Sequence, residues 1–330
     1  MKIAVLGAGS WGTALGQVLN ANGHDILLWH LEQDFVDEIN QTHVHPFLPG
    51  VNLTSKLQFT ASLDDICGYG EILISAVPSQ VVRSVLSKFP NGWQKLVISV
   101  SKGIENNTGM RMSEVISETL NLNEEEIVIL SGPSHAEEVG RKYPTTVVAA
   151  CSDIDHARKV QGLFSNQYFR VYSGGDVVGV EIGGSAKNII ALAAGICHGL
   201  GYGDNTMAAL VTRGLEEIIR LGTFLGAQRA TFSGLSGMGD LVVTAFSPHS
   251  RNRQVGERIG KGEQLSDILA SMEMVAEGVE TARSIYELTQ KHNIDMPICE
   301  QIYKVLFKDV CPRQGILELM GRELVDEYPV

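Results

Sequence analysis

The sequence lacks the excess of basic residues that nucleic-acid and membrane-surface proteins carry. Its 330 residues include 26 lysines and arginines against 38 aspartates and glutamates, which gives a net charge of −12. Nucleic acids and anionic membranes attract basic surfaces, so this balance argues against general binding to either. Any anionic substrate must therefore be held by a local basic cluster.

Cysteine is sparse and irregularly spaced. The odd number of cysteines and the lack of CxxC or Cys/His spacing argue against a disulfide framework and against a metal site. We expect reduced thiols in a cytoplasmic protein at the five positions Cys67, Cys151, Cys197, Cys299 and Cys311.

Long apolar runs and a secretion signal are missing from the pattern as well. The most apolar segment, 185–199, is interrupted by Lys187, Asn188 and His198. No apolar run therefore reaches the ~18 residues of a membrane span. The opening residues, MKIAVLGAG, resemble a strand rather than a signal peptide. We expect no membrane span.

What is present is the composition of a globular protein, with 44% hydrophobic and 19% charged residues in a chain long enough for roughly two domains. Short β-branched runs alternate with helical segments, including 12–22 and 80–88, through the first 180 residues. Such alternation predicts a buried, mainly parallel α/β sheet. The predicted strands are 2–7, 24–30, 71–78, 95–103, 126–133, 145–150 and 168–174.

The pattern changes near residue 180, beyond which no strand is predicted. We therefore expect a dinucleotide-binding domain at 1–180 and an all-helical domain at 181–330. Ligands of open α/β sheets bind at the carboxyl ends of the strands, so a helical domain over that edge would close a cleft. The predicted helices are 181–199, 205–221, 250–260, 265–270, 278–292 and 298–306.

A GxGxxG pattern formed by Gly7, Gly9 and Gly12 follows the first strand and opens the first helix. In this context the glycines permit a tight turn, approach of a pyrophosphate, and close helix–strand packing. The alternative is a glycine-rich turn with no ligand. The second strand ends in WHLEQD, where His30 and Glu32 satisfy neither the NAD rule nor the NADP rule cleanly, so the choice between the two stays open.

The helix predicted at 181–199 places Lys187 in the middle of an apolar segment. Either this lysine extends its ammonium to the surface, or it faces a cavity that something else must fill. Residues three or four positions away share its face. The residues on this face are Gly183, Gly184 and Ala191, followed by Ala194 and His198 further along the helix.

Further polar residues stand at predicted strand ends and in the helical half. Lys102 follows a strand, and the small-residue loop 132–139 follows the next. Asp240, Ser250 and Asn252 could each simply cap a helix, and Arg251 could be a surface cation.

Taken together, these segments resemble a family, the bacterial form of NAD(P)-dependent glycerol-3-phosphate dehydrogenase. The resemblance runs from residue 3 to about 310, and blocks 181–206 and 234–256 are its most specific parts. It implies a Rossmann domain followed by an all-α domain of the 6-phosphogluconate-dehydrogenase C-terminal type. The segments that carry it are GAGSWGTALG, VSKGIE, GPSHAEEV, EIGGSAKNIIALAAGICHGLGYGDNT, GLSGMGDL, SRNRQVG and VAEGVET.

The resemblance implies reversible hydride transfer between NAD(P)H and dihydroxyacetone phosphate, giving sn-glycerol 3-phosphate for phospholipid synthesis. It implies Lys187 as the general acid/base, with small neighbours leaving room for substrate and nearby cations easing loss of its proton. It also implies a homodimer.

By the same resemblance, two sets of residues hold the ligands. The implied substrate contacts are Lys102, Gly132, Ser134, Lys187, Asp240, Ser250, Arg251 and Asn252. The implied cofactor contacts are Gly7, Gly9, Ser10, Trp11, Gly12, His30, Lys102, Ala136, Arg251, Val275 and Glu277. Leu31 departs from the basic residue that many members carry there, which weakens the case for NADP.

Two other functions remain as alternatives. A β-hydroxyacid or ketopantoate-type dehydrogenase would share the fold but leave the Ser250–Asn252 cluster unexplained. A non-catalytic sensor of nucleotide redox state would be expected to have lost Lys102, Lys187 and Asp240, all of which are present.

Overall fold

An eight-stranded sheet forms the first half of the protein in a computed structural model that describes residues 1–90, 92–272 and 274–327. The strands are β1 (Lys2–Leu6), β2 (Asp25–Trp29), β3 (Gln58–Thr60), β4 (Ile72–Ser75), β5 (Leu96–Ser99), β6 (Ile127–Ser131), β7 (Thr145–Ala150) and β8 (Phe169–Gly174). Their side chains are mainly apolar, and those of β1, β4, β5 and β6 are buried almost throughout.

The strand order is β3-β2-β1-β4-β5-β6-β7-β8. All neighbours are parallel except β6 and β7, which are antiparallel. The chain crosses from one side of β1 to the other between β3 and β4. In such sheets a ligand binds beyond the carboxyl ends of the strands at this reversal, where the turns after β1 and β4 lie side by side.

Helices cover both faces of the sheet and then make up the rest of the protein. Seven accompany the strands: α1 (Ser10–Ala21), α2 (Gln33–Thr42), α3 (Leu63–Gly68), α4 (Val82–Leu86), α5 (Met112–Leu120), α6 (Ala136–Gly140) and α7 (Ile154–Phe164). Eight follow the sheet: α8 (Val177–Gly199), α9 (Asp204–Phe224), α10 (Asp240–Phe246), α11 (Arg251–Gly260), α12 (Leu265–Ala270), α13 (Glu277–His292), α14 (Pro297–Phe307) and α15 (Pro312–Met320).

Helix α8 is the centre of the helical half. Its residues 179–197 are all buried, and it packs on α9, α10, α11 and α13. Among the described residues it is the one helix long and apolar enough to cross a membrane, and 89% of its apolar window is buried inside the protein. That burial is what a core helix requires.

Helix α8 is also tied to the Rossmann half. The buried carboxylate of Glu181 accepts hydrogen bonds from the Arg111 guanidinium at 2.7 Å and from the Ser113 backbone N–H at 2.8 Å. Burial raises the pKa of Glu181, although the Arg111 charge opposes that rise. The junction therefore holds the start of α8 against α5.

The predicted fold class, a Rossmann domain followed by helices, is confirmed, with differences in detail. Of the seven predicted strands, β7 has the predicted bounds and the other six are shorter; β3, three residues at the sheet edge, was not predicted. Helices α2, α3, α5, α6 and α7 in the sheet half, and α10 and α15 in the helical half, were not located from the sequence either. The predicted boundary at residue 180 lies within the first turn of α8, so the division at 180 stays a prediction.

Candidate active site

Lys187 lies in the interior of α8, and its side chain is only 7% exposed. Its Nζ lies 2.7 Å from Asp240 Oδ1 and donates to Thr244 Oγ1 at 2.5 Å. The Thr244 hydroxyl in turn donates to the Asp240 carbonyl at 2.6 Å. An ammonium has three N–H donors, so these two contacts leave one N–H for a ligand.

Asp240 joins the two halves of the protein. Its Oδ2 lies 2.6 Å from the Nζ of Lys102, which follows β5 and also donates to the Gly132 carbonyl at 3.2 Å. One carboxylate thus bridges an ammonium from the Rossmann half and an ammonium from α8. This places the implied acid/base group, Lys187, beside the carboxyl ends of β5 and β6.

The protonation of this cluster is set by burial and by its charges. Desolvation lowers the pKa of Lys187 to about 8; Asp240 opposes this fall, and the Lys102 and Arg251 charges reinforce it. Desolvation would raise the pKa of Asp240, but the two ammoniums outweigh burial and lower it. Near neutral pH, Lys187 is therefore mostly protonated yet can lose its proton far more readily than an exposed lysine.

The two glycines next to Lys187 do not leave space for a substrate, contrary to the expectation from the sequence. A Cβ on Gly183 would lie 2.6 Å from the Ser236 carbonyl oxygen, and one on Gly184 would lie 2.6 Å from Ser131 Oγ. Protein atoms already fill these positions. The glycines instead let α8 approach the loop before α10 and the end of β6 closely enough for Lys187 to reach Asp240.

The glycine-rich turn after β1 has the geometry that a pyrophosphate requires. Gly7 has φ +117° and packs on the Ala76 backbone, while a Cβ on Gly12 would lie 2.0 Å from the Gly7 oxygen. A Cβ on Gly9 would meet no protein atom within 4 Å, so the space beside it is open. Gly9 is also the N-cap of α1 and provides no side-chain cap. The first N–H groups of α1 can therefore bind an anion.

Aromatic rings line the side of this turn. His30 stacks on Phe35 with ring centroids 3.9 Å apart, and Phe35 meets the edge of His45 at 5.5 Å. His45 Nε2 lies 3.0 Å from the Ala8 carbonyl, which fixes the turn itself. Burial lowers the pKa of His30, so its ring is neutral at pH 7. Ser10 is buried at the start of α1, and Trp11 packs against the sheet core.

The segment Ser250–Asn252 makes mainly structural contacts in this structure. Ser250 caps α11 by accepting from the Arg253 N–H at 3.2 Å, and Asn252 Oδ1 accepts from the Gly278 N–H at 2.9 Å. Arg251 donates to the Val275 carbonyl at 2.8 Å, and its charge acts on Lys187. Ser250 therefore caps a helix, which was the alternative interpretation, whereas Arg251 is close enough to the lysine cluster for its charge to act on Lys187.

Of the remaining predicted contacts, Gly132, Ser134 and Ala136 follow β6, and Glu277 begins α13. Gly132 has φ +146°, and its carbonyl accepts from Ser134 Oγ at 3.0 Å as well as from Lys102. Ala136 is buried at the start of α6. Glu277 Oε1 accepts from the Ser79 N–H, after β4, at 3.0 Å. Burial raises the pKa of Glu277 to about 7 despite that hydrogen bond and the Arg251, Lys102 and Lys187 charges.

Two family models match this chain. The model described as the NAD-dependent glycerol-3-phosphate dehydrogenase N-terminus matches residues 2–157, and the model described as the C-terminus of the same family matches residues 176–317. The chain belongs to the NAD-dependent glycerol-3-phosphate dehydrogenase family. The resemblance predicted from the sequence motifs is thereby confirmed.

Relatives and solved structures agree with the family models. A glycerol-3-phosphate dehydrogenase [NAD(P)+] from Lysinibacillus sphaericus is 50% identical, with 97% of this chain and 96% of that protein covered. One from Carboxydothermus hydrogenoformans is 48% identical, with 99% and 98% covered.

The crystal structure of glycerol-3-phosphate dehydrogenase from Coxiella burnetii has a TM-score of 0.92 at 35% identity, with 97% of this chain and 98% of that chain covered. A ketopantoate reductase from Ralstonia eutropha has a TM-score of 0.61 at 15% identity, which shows a shared fold alone.

Some residues of this family member's site were not predicted from the sequence. Thr244 stands four residues after Asp240, and that helical spacing was the signal that both share one face of α10. His45 and Phe35 had no motif to mark them, because their positions depend on how the chain returns after α2. Within the described residues, no group of three or more His, Cys, Asp or Glu side chains could hold a metal ion.

Proposed function

We propose that this protein interconverts dihydroxyacetone phosphate and sn-glycerol 3-phosphate with NAD(P)H or NAD(P)+, and that Lys187 moves the proton. The observation that carries the proposal is the buried Lys187–Asp240–Lys102 cluster at the carboxyl edge of a dinucleotide-binding sheet. A buried lysine with a pKa of about 8 can act as acid and as base near neutral pH. The identity of the substrate is inferred from the family to which the chain belongs.

The cofactor would extend from the glycine-rich turn towards Lys102. Gly7, Gly9 and Gly12 with the start of α1 would hold the pyrophosphate, and the His30 ring would lie at the adenosine end. When bound, the nicotinamide supplies or accepts the hydride. The other proposed cofactor contacts are Ser10, Trp11, Lys102, Ala136, Arg251, Val275 and Glu277.

The substrate would bind between the two lysines and the Ser250–Asn252 segment. Lys102 retains one N–H after its contacts with Asp240 and Gly132, so Lys102 and Lys187 each have a donor for the substrate oxygens. Arg251 adds a cation for the phosphate, which carries close to two negative charges at pH 7. Gly132 and Ser134 complete the Rossmann side, and Asp240, Ser250 and Asn252 the helical side.

In the direction of reduction, the C2 carbonyl oxygen gains negative charge as the hydride reaches C2. The Lys187 ammonium donates its proton to that oxygen, which becomes the C2 hydroxyl. In oxidation the neutral amine removes the hydroxyl proton as the hydride leaves C2. Asp240 stabilises the ammonium form in both directions, and Thr244 holds the Nζ in position.

The direct test is Lys187→Ala, assayed by oxidation of NADH with saturating dihydroxyacetone phosphate. We expect kcat to fall at least a thousandfold, since an acid/base group and its positioning are lost together. The matched control is Lys261→Ala, which removes an exposed lysine paired with Glu257 on α11. Near-normal turnover by Lys187→Ala would refute the assigned role.

Three wider features remain part of the proposal. We propose that the enzyme is cytoplasmic, because its scattered cysteines are typical of reduced thiols. We also propose that it acts as a homodimer and supplies glycerol 3-phosphate for phospholipid synthesis, because the family resemblance implies both. The dimer is tested by measuring the molar mass by light scattering as the protein elutes from a size-exclusion column. A mass of one chain, 35.8 kDa, at micromolar concentration would contradict it.

A further inference from the structure

One ring nitrogen of His135, Nε2, is buried and lacks a hydrogen-bond partner among the described residues. It lies between Ser134 and Ala136 in the loop that leads from β6 to α6, and its side chain does not cap that helix. Within the described part of the chain, its Nε2 is shielded from solvent and has no hydrogen-bond partner. Leaving such a group unpaired costs roughly 1–3 kcal/mol, so a partner is expected in the working enzyme.

The buried His45, near the cofactor turn, shows what a structural role looks like. His45 Nε2 lies 3.0 Å from the Ala8 carbonyl, and its Nδ1 accepts from the Phe47 N–H at 3.1 Å. Both nitrogens of that ring have protein partners. The Nε2 of His135 has no such partner among the described residues.

The groups around His135 are those of the proposed substrate site. Its ring centroid lies 5.8 Å from that of His249, which directly precedes Ser250. The charges that act on it are Lys187 on α8, Asp240 on α10, and Glu137 and Glu138 on its own helix. His135 thus lies next to the residue that precedes Ser250 and close enough to Lys187 and Asp240 for their charges to act on it.

We propose that His135 binds the phosphate end of the substrate through its Nε2–H, from the Rossmann side of the site. This inference rests on the proposed substrate site. A neutral imidazole protonated at Nε2 donates one hydrogen bond to a phosphate oxygen, which is a strong acceptor. Burial and the Lys187 charge lower the pKa of His135, which keeps the ring neutral at pH 7.

The test compares His135→Phe with His135→Gln. Phenylalanine keeps the size of the ring and removes the donor, whereas the glutamine amide can place an N–H near the position of Nε2. We expect His135→Phe to raise the KM for dihydroxyacetone phosphate about tenfold, the loss of one charge-assisted hydrogen bond, with a smaller change in kcat. We expect His135→Gln to recover most of the affinity.

Two further measurements show whether His135 contacts the substrate phosphate, the rest of the substrate or the cofactor. The KM for NADH should be unchanged in His135→Phe, and the KM for unphosphorylated dihydroxyacetone should change by less than twofold. An unchanged KM for dihydroxyacetone phosphate would overturn the inference. A rise in the KM for NADH alone would also overturn it, because His135 would then bind the cofactor.

The matched control is His24→Phe. His24 also has a buried, unpartnered ring nitrogen, Nδ1, but it directly precedes β2 at the opposite edge of the sheet. Its KM values should equal those of the unsubstituted enzyme. Arg251→Met separates this inference from the proposed function: if it raises the KM for the phosphorylated substrate and His135→Phe does not, only the role of His135 fails. A wild-type enzyme inactive on that substrate would refute the proposed function itself.

Discussion

The depressed pKa of Lys187 predicts opposite pH dependences for the two directions of the reaction. Oxidation of glycerol 3-phosphate needs the neutral amine, so kcat/KM should rise by up to tenfold per pH unit and level off above about 8. Reduction needs the ammonium, so kcat/KM should be level below about 8 and fall above it.

The size of the effect follows from the structure. With a pKa of about 8, close to a tenth of Lys187 is unprotonated at pH 7. At the ordinary value of 10.5 the unprotonated fraction would be about one in three thousand. Desolvation of the ammonium therefore increases the fraction of active base about three-hundredfold at neutral pH.

Asp240→Asn tests the cause of this pKa. The Asp240 carboxylate, 2.7 Å from the Lys187 Nζ, opposes the fall in the pKa of Lys187. Removing its charge should lower the pKa further and move the inflection of the oxidation profile to lower pH, whatever happens to the height of the plateau. Asp155→Asn removes a largely exposed carboxylate on α7 and should leave the profile unchanged.

The assay is initial-rate formation of the reduced nicotinamide from pH 6.5 to 10. This range lies above the second ionisation of the substrate phosphate, with a pKa of about 6, so that titration does not distort the curve. A flat oxidation profile would refute the reasoning, as would an inflection that moves to higher pH in Asp240→Asn.

Three other variants test the nucleotide site and the energetics of the buried lysine. Gly12→Ala should abolish NADH binding measured by fluorescence or unfold the turn, since its Cβ would lie 2.0 Å from the Gly7 oxygen. Gly162→Ala, with no atom within 4 Å of its Cβ and inside α7, should leave binding unchanged and should not lower the melting temperature. Leu31→Arg should raise kcat/KM for NADPH at least tenfold while that for NADH changes little, because the exposed Leu31 offers no cation for a 2′-phosphate; an unchanged cofactor ratio would contradict this. Lys187→Met should raise the melting temperature at pH 7, because a folded pKa below the unfolded value destabilises the protein by about 3 kcal/mol below pH 8 and progressively less from 8 to 10.5; a lower melting temperature at pH 7 would count against it.

Much of the sheet could be predicted because its strands are short β-branched runs between turn residues. Gly7 ends β1 and Pro78 follows β4, and these signals are local. The three-residue β3 has no such signal, since it forms only by pairing with β2 at the edge. Helix α10 was missed because GLSGMG precedes it, and the π-helical turn at Leu235–Gly239 depends on packing against α8.

The members of the site were easier to name than their contacts. Lys102, Lys187 and Asp240 stand in motifs, so their resemblance to a family could be recognised. The sequence could not show that one carboxylate bridges both lysines. Lys102 and Lys187 are 85 residues apart along the chain, and Lys187 and Asp240 are 53 residues apart. The glycines beside Lys187 illustrate the same limit: sequence shows that they are small but does not show that Ser236 and Ser131 occupy the space beside them.

The most direct test of the account is the rate of NADH oxidation by the unsubstituted enzyme with dihydroxyacetone phosphate, measured beside dihydroxyacetone and ketopantoate. The account predicts rapid oxidation with the phosphorylated ketone and at least a hundredfold lower kcat/KM with the other two, because Arg251 and His135 have a phosphate to bind only in the first. Oxidation with ketopantoate and none with dihydroxyacetone phosphate would contradict it and leave only the dinucleotide fold.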